Sequence, residues 1–146
     1  MSRLDDVQIL RGRRRSDARG WLHVALGASQ LPPDAVFGEL YVVQSGVDGD
    51  RRGDHLHRRM DEWFSVVQGC AELQLWDPEQ GLRRSIRMEA ADALTVRVPA
   101  GLAHCLVQQG DVAMIAVAWA TAEYDPDDVV PASTVSPEDP LCSNPC

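Results

Sequence analysis

Eight short apolar segments, separated by turn residues, run through most of this sequence. Each is four to eight residues long and either alternates in polarity or is apolar throughout, with Gly, Pro, Asp or Gln-Gly between segments. Segments of this length and spacing are typical of antiparallel strands in a closed or two-layered β structure. The sequence therefore predicts an all-β, single-domain β-barrel or jelly roll. The predicted strands are residues 21–26, 38–44, 63–68, 71–76, 84–88, 94–98, 104–107 and 112–119.

Two regions between the predicted strands need separate interpretation. Two consecutive prolines disfavour a helix at residues 29–37, because proline lacks the amide proton that a helix interior needs, so we predict a loop there. The arginine-rich run at 11–15 predicts a polar loop between a strand at 7–10 and the strand that follows.

Length and charge limit the domain organisation and the partners. The 146 residues suit one domain. We assign residues 1–128 to the folded domain and residues 129–146, which are acidic and rich in Pro and Ser, to an extended or disordered C-terminal tail. The net charge of −8 argues against nucleic acid as the natural partner, because binding a phosphate backbone needs a positive surface.

Neither an export signal nor a membrane span is visible in the sequence. The first residues lack an apolar core of signal-peptide length, and the apolar run at 112–119 is too short to cross a bilayer. The four cysteines form no zinc-knuckle or CxxC pattern. We therefore expect a cytoplasmic protein with free thiols.

Three histidines and one glutamate are spaced in a way that predicts a metal site. His55 and His57 are two residues apart, so on one strand they point to the same face. Glu62 has the opposite parity and can join them only if residues 58–61 form a turn. We predict a hairpin at this point, with Glu62 opening the returning strand. A tight turn at Pro-Ala-Gly, residues 99–101, then delivers His104 from a third strand.

The chemistry of these side chains narrows the choice of metal. Neutral imidazoles combined with one carboxylate suit Zn, Fe(II), Mn, Co or Ni better than Ca or Mg. We expect one divalent ion, with Zn favoured, held by His55, His57, Glu62 and His104.

These two segments resemble the two conserved motifs of the cupin superfamily of small β-barrels. The first motif, from Gly49 to Gly69, matches at every defining position, whereas the second departs twice. Ala93 stands where the pattern has Gly, and Gln108 stands where it has Asn. Neither position is a ligand, so the resemblance still implies a cupin barrel with the four-residue metal site.

Flanking segments are similar to the sugar-nucleotide branch of cupins, which includes dTDP-4-dehydrorhamnose 3,5-epimerases and the related 3,4-ketoisomerases. The similar segments are residues 16–22, 52–57 and 119–128. Over residues 37–128 the likeness is greatest to the C-terminal cupin domain of CapF-type enzymes of capsular-polysaccharide synthesis. The resemblance implies proton abstraction next to the carbonyl of a nucleotide-linked 4-keto-6-deoxy sugar, in deoxysugar or polysaccharide biosynthesis.

The resemblance leaves the catalytic base open. In the 3,5-epimerases the histidine that matches His55 is the base, and no metal is needed. If His55 is instead a metal ligand, its coordinating nitrogen cannot also accept a proton. The base would then be Tyr41, Tyr124, His23 or a metal-bound hydroxide.

The remaining predicted site residues are substrate-binding candidates. Arginine forms paired hydrogen bonds with phosphate oxygens, so Arg19 and Arg52 are candidates for gripping a diphosphate. Phe64 shares a strand face with Glu62 and is predicted to line the pocket, and Trp119 is a candidate for stacking on the base. By resemblance, and because barrel edges need cover, we expect a homodimer.

Two other functions are compatible with the same residues. The four metal ligands would also support a cupin oxygenase that uses Fe(II) and dioxygen. A non-catalytic cupin that binds a sugar or another small ligand is the third alternative.

Overall fold

Antiparallel strands account for nearly all of the regular structure in the computed structural model, which describes residues 2–135. Among these residues the helical structure comprises three short 3-10 turns and one four-residue helix, α1, at Ala132–Val135. The strands are β1 Gln8–Arg11, β2 Arg13–Asp17, β3 Gly20–Val24, β4 Glu39–Ser45, β5 Arg51–His57, β6 Glu62–Gln68, β7 Cys70–Asp77, β8 Leu82–Glu89, β9 Leu94–Val98, β10 Ala103–Gln108, β11 Met114–Ala120 and β12 Val129–Pro131.

The strands form two five-stranded sheets and one hairpin. Sheet I has the order β1-β9-β6-β11-β4, sheet II has the order β12-β5-β10-β7-β8, and β2 pairs with β3. The core is formed by inward side chains of both sheets, because apolar side chains alternate with outward ones along each strand. It includes Leu73, Leu75, Met88, Val96, Leu106 and Met114. The predicted all-β, single-domain cupin barrel is thus confirmed.

The predicted hairpin between the histidine strand and the glutamate strand is wrong. β5 pairs with β10 and β12 in sheet II, whereas β6 pairs with β9 and β11 in sheet I. Residues 58–61 therefore cross from one sheet to the other, and the glutamate faces the histidines across the barrel interior. The predicted turn at residues 99–101 is present and leads into β10.

A bulge shapes the strand that carries His55 and His57. His104 lies opposite His55, but the next residue, Cys105, lies opposite Gly53, so Asp54 is the extra residue of β5. Asp54 has a φ of 58°, and both of its carboxylate oxygens accept hydrogen bonds from Arg51. The bulge and this ion pair fix where β5 delivers His55.

The arginine-rich segment is not the polar loop that the sequence predicts. Residues 13–17 form β2, which pairs along its whole length with β3. His23 of β3 anchors this hairpin on the outer face of sheet I, with its Nε2 3.1 Å from Ser65 Oγ and its Nδ1 3.0 Å from Arg14 Nη1. Arg14 also donates to the Val67 carbonyl oxygen. Side-chain contacts with sheet I thus hold the β2–β3 hairpin in position. Local strand propensity does not predict these contacts.

The start of the predicted tail is folded on the barrel. β12 pairs with β5 at His55–His57, and Ala132 and Val135 of α1 pack with Leu56 on sheet II. Residues 136–146 lie outside the described part of the chain, and the division between domain and tail stays a prediction. No helix within residues 2–135 is long and apolar enough to cross a membrane.

Candidate metal centre

Three strands of the two sheets bring the four predicted ligands together. His55 and His57 come from β5, Glu62 is the first residue of β6, and His104 is the second residue of β10. One potential ligand atom from each residue lies within 4.8 Å of those of the other three. His57, Glu62 and His104 are buried, and His55 is partly exposed. The sequence thus identified a cluster that the fold assembles.

Two of the histidines are oriented by hydrogen bonds on the side away from the cluster. The Nδ1 of His57 is 3.2 Å from Oδ2 of the buried Asp128, and the Nδ1 of His104 is 3.3 Å from the carbonyl oxygen of Leu102. Both partners are acceptors, so each Nδ1 carries the proton. The Nε2 atoms therefore face the cluster, which is the arrangement that orients histidine for a metal.

Glu62 is held by a third such contact. The Tyr41 hydroxyl donates a 2.6 Å hydrogen bond to Glu62 Oε1. Burial, together with the negative charge of Glu62, raises the pKa of the Tyr41 phenol, so it remains protonated and keeps donating. Tyr41, a predicted catalytic residue, therefore contacts the cluster through its hydrogen bond to the Glu62 carboxylate.

The other oxygen of Glu62 points at the imidazoles. Its Oε2 lies 3.0 Å from His104 Nε2 and 3.5 Å from His57 Nε2, and it accepts no hydrogen bond from the described residues. Burial opposes ionisation, but the attraction of His104 outweighs it and lowers the pKa of Glu62 to about 2. Burial likewise disfavours the charged form of His104, yet the Glu62 carboxylate raises the pKa of this imidazole.

This arrangement fits a divalent cation. Glu62 Oε2, which is buried and accepts no hydrogen bond from residues 2–135, lies within 3.5 Å of two imidazole Nε2 atoms. Nitrogen and oxygen donors of this kind suit Zn and the first-row transition metals. His57, Glu62 and His104 would hold the ion, and His55 lies within reach of it.

His55 differs from the other two histidines. Neither of its ring nitrogens makes a hydrogen bond to the described residues, and its ring is 4.9 Å from that of His57 and 5.0 Å from that of His104, centroid to centroid. Burial and the neighbouring imidazoles lower the pKa of His55 to about 4, so the ring is neutral near pH 7. It is therefore an uncharged group whose nitrogens are free of other partners.

A cavity of about 340 Å³ opens directly onto the cluster. Its size is within the range of small-ligand pockets. Arg52 lies on its wall and donates through Nε to the Gln44 carbonyl oxygen, and Phe64 packs with its ring 5.2 Å from that of His104. The lining residues are Tyr41, Val42, Val43, Gln44, Arg52, Gly53, His55, Phe64, His104 and Leu106.

Other predicted site residues lie elsewhere. Arg19 is at the tip of the β2–β3 hairpin, where it pairs with Asp17. Trp119 lies on the outer face of sheet I, with its ring 4.6 Å from that of Trp63. Tyr124 is 64% exposed and does not line the cavity. The predicted roles of Arg19, Trp119 and Tyr124 stay predictions.

Sequence reasoning missed Asp128, which orients His57. Asp128 is 71 positions away from its partner and lies in an acidic segment that reads as the approach to a tail. Its backbone carbonyl accepts from the Arg58 amide, and its Oδ1 accepts from the Arg59 amide. These contacts join the segment before β12 to the end of β5, and no local sequence pattern predicts them.

The fold is a cupin-type β-barrel, and the site is a cluster of three histidines and one glutamate that could hold a metal ion. The chain belongs to the family described as the polysaccharide biosynthesis C-terminal domain, whose model matches residues 15–130. No curated protein matches the sequence significantly. The narrower likeness to CapF-type enzymes stays a prediction.

Solved structures with low sequence identity share this fold. A dTDP sugar isomerase from Desulfovibrio desulfuricans G20 is 16% identical, with a TM-score of 0.83 over 99% of this chain and 96% of that chain. A dTDP-4-dehydrorhamnose 3,5-epimerase from Bacillus anthracis, with TDP and PPi bound, is 20% identical, with a TM-score of 0.74 over 86% and 78%. ChmJ, a 3'-monoepimerase from Streptomyces bikiniensis in complex with dTDP-quinovose, is 18% identical, with a TM-score of 0.75 over 96% and 78%.

Proposed function

We propose that this protein is an epimerase or ketoisomerase that acts on a nucleotide-linked 4-keto-6-deoxy sugar in deoxysugar or polysaccharide biosynthesis. The observation that carries the proposal is a cavity lined by His55 and His104 beside a cluster in which His57, Glu62 and His104 are each oriented by a hydrogen bond, while His55 makes none to the described residues. The family match and the fold shared with dTDP-sugar epimerases and isomerases support this substrate class.

The hydrogen bonds of the cluster suggest which residues bind the metal and which one transfers the proton. Each of His57, Glu62 and His104 has a partner that holds it, and catalytic metal sites typically have three protein ligands and one open position. The metal, when bound, supplies Lewis acidity toward a carbonyl oxygen. His55 lines the cavity and accepts the proton from the carbon next to the keto group.

Other lining residues bind and orient the sugar nucleotide. Arg52 is exposed at the mouth, where its guanidinium has further donors for a phosphate after its single bond to the Gln44 carbonyl. Phe64 gives the sugar an apolar wall beside His104. Tyr41 holds Glu62 in place. We also propose that the protein is cytoplasmic and forms a homodimer.

Proton exchange in deuterated water tests this function. The metal-loaded protein is incubated with several nucleotide-linked 4-keto-6-deoxy sugars, and the sugar C3 proton is followed by NMR. We expect that signal to disappear with at least one sugar. No exchange with any of them, at full metal content, would reject the epimerase and ketoisomerase function and favour dioxygen chemistry or simple ligand binding.

A His55→Gln variant separates the two roles that His55 could have. If His55 is the base, the variant should lose about 10²–10⁴-fold in exchange rate while its metal content stays equal to that of the wild type. A parallel loss of metal would instead make His55 a ligand. His23→Gln serves as the matched control, because His23 lies on the outer face of sheet I and should leave exchange unchanged.

A further inference from the structure

The residue before Glu62 makes contacts that the proposed function does not use. Asp61 ends the crossing from β5 to β6 and is not one of the four candidate ligands. Its Oδ2 accepts hydrogen bonds from Nε and Nη2 of Arg97 in β9, at 3.1 Å and 2.6 Å. Its Oδ1 accepts a 2.9 Å hydrogen bond from the amide of Ala100. Both carboxylate oxygens are therefore bound by donors from other parts of the chain.

The backbone of Asp61 is held as well. Its amide donates to Thr121 Oγ1 at 3.0 Å, and its carbonyl oxygen accepts from the Thr121 amide at 3.1 Å. Thr121 directly follows β11, whose last residue, Ala120, lies opposite Glu62. The side chains of Asp61 and Arg97 are only 21% and 22% exposed, so their ion pair is weakly screened by solvent. The position of Asp61 is therefore fixed through both its backbone and its side chain.

The turn that leads to His104 is held at both ends of this crossing. The Ala100 amide of the turn donates to Asp61, and the next amide, that of Gly101, donates to the His57 carbonyl oxygen at 2.7 Å. His57 is the last residue before the crossing, and Asp61 is the last residue within it. Two consecutive amides thus tie the turn to the segment that connects the two sheets. The chain itself links the backbones of the three buried candidate ligands in this way.

Arg97 balances the charge that Asp61 adds next to the cluster. Asp61 and Glu62 are adjacent carboxylates, and two negative charges this close repel each other unless a cation lies nearby. The Arg97 guanidinium supplies that cation through two donors, and it also lies 5.5 Å from the centre of the Trp63 ring. Asp61 therefore influences the cluster mainly through the position of the backbone and not through its charge.

We propose that Asp61 is a positioning residue that sets the distance between Glu62 and His104. Its backbone fixes the start of β6, which carries Glu62 in sheet I, and its side chain fixes the turn that delivers His104 to sheet II. One residue thus aligns donors from the two sheets. The inference rests on the metal-binding part of the proposed function but not on its sugar chemistry.

Small displacements of these two ligands are expected to weaken metal binding. Glu62 Oε2 lies 3.0 Å from His104 Nε2, so the two donors approach each other closely. Zinc binds such oxygen and nitrogen atoms at about 2.0–2.2 Å, a narrow range. Without the Asp61 carboxylate, the Ala100 amide loses its acceptor and the turn is free to move relative to β6. Such a movement takes His104 away from the position in which it faces Glu62.

Cobalt binding tests the position of the ligands directly. Co(II) in the wild-type protein gives visible absorption bands whose position and intensity depend on coordination geometry. We expect Asp61→Ala to alter these bands and to weaken Co(II) binding by about 10-fold, the lower end for groups that orient ligands, because Asp61 acts through the backbone. Arg97→Met is the matched control. It removes the same ion pair but leaves the hydrogen bond from Ala100 to Asp61, so it should keep the wild-type bands and should not weaken binding.

Thr121→Val provides a second, milder test that does not depend on the folding of Asp61→Ala. It keeps the shape of the side chain but removes the oxygen that accepts from the Asp61 amide, and it should weaken Co(II) binding several-fold. Circular dichroism spectra establish which variants are folded. Wild-type affinity and bands in the folded variants would overturn the proposal, as would an equal loss in Arg97→Met or a wild-type chain that binds no Co(II). The proton-exchange test requires a sugar nucleotide and this one does not, so failure of the inference and failure of the proposed function are distinguishable.

Discussion

At the scale of single residues, the candidate metal centre depends on groups from residues that the ligand motif does not contain. Asp128 orients His57, the Leu102 carbonyl orients His104, and the Tyr41 hydroxyl orients Glu62. Spacing predicted that His55 and His57 lie together, because residues two apart on a strand share a face, whereas Glu62 reaches them by a crossing between sheets and not by the predicted hairpin. Spacing could not predict Asp128, because its contact depends on how the segment before β12 returns to β5.

Asp128→Asn should weaken metal binding about 10–100-fold while the fold remains intact. An amide at this position keeps the shape and can still accept from the Arg59 amide, but it lacks the negative charge that supports the His57 Nδ1 proton. Competition with a chromogenic chelator measures the affinity. Asp127→Asn is the matched control, because Asp127 is exposed and should leave the affinity unchanged. Equal affinities in the two variants would contradict the role of Asp128.

At the scale of elements, the bulge in β5 determines how sheet II places His55 opposite His104. Gly53 has a φ of +115°, and a Cβ built there would lie 2.8 Å from the His104 carbonyl oxygen. The residue therefore allows β5 and β10 to approach each other closely where both carry ligands. The cupin motif identifies the histidines, but it does not reveal that Asp54 is looped out beside them.

Gly53→Ala should lower the free energy of unfolding by about 2 kcal/mol, because alanine is strained at this φ and its methyl group would push β5 away from β10. The same displacement should weaken metal binding. Urea unfolding monitored by tryptophan fluorescence measures the stability. Gly46→Ala, in the connection just before β5, is the control, since it has an ordinary φ and nothing within 4 Å of the added methyl group. Equal stability of both variants would refute the close approach.

Asp77, at the end of β7, anchors the N-terminal 3-10 turn to the barrel. Its two carboxylate oxygens accept hydrogen bonds from the Ser2 hydroxyl and from the backbone amides of Arg3, Glu79 and Gln80. Burial raises the pKa of this carboxyl, but these donors outweigh that effect and lower the pKa below its usual value. A lowered pKa means that Asp77 stabilises the fold at pH values above the pKa of an unfolded aspartate (about 4), and that this contribution is lost as the pH falls through the lower pKa of the folded state.

Asp77→Ala should therefore cost about 2 kcal/mol at pH 7, because four partly buried donors lose their acceptor. The difference from the wild type should shrink as the pH falls below about 4. Thermal unfolding at several pH values measures both effects. Asp111→Ala, at an exposed turn position, should match the wild type throughout. A difference from the wild type that is independent of pH would contradict the ionised state of Asp77.

At the scale of the whole molecule, apolar periodicity predicted the positions of most strands but not of β2 and β12, and it did not predict the sheet to which each strand belongs. Residues 58–61 are as suitable for a hairpin turn as for a crossing between sheets, so β5 and β6 could not be assigned to separate sheets in advance. The β2–β3 hairpin was missed because charged residues dominate β2, and contacts of Arg14 and His23 with sheet I hold it.

Because the candidate ligands come from both sheets, a bound metal should stabilise the whole barrel against unfolding. His57 and His104 belong to sheet II and Glu62 belongs to sheet I, so the ion binds the folded chain far better than the unfolded one. At a free zinc concentration 100 times the dissociation constant, binding adds about 2.7 kcal/mol to the free energy of unfolding. For a chain of this length, that corresponds to a rise in Tm of about 5–10 °C.

Calorimetry of the zinc-loaded protein before and after dialysis against a chelator measures this shift. Glu62→Gln should remove most of it, because the carboxylate that joins sheet I to the ion is lost. Glu72→Gln, on the outer face of sheet II, should retain the full shift and serves as the control. If Tm is the same with and without zinc in the wild type, or if Glu62→Gln keeps the wild-type shift, the metal does not connect the two sheets in the way that the positions of its ligands require.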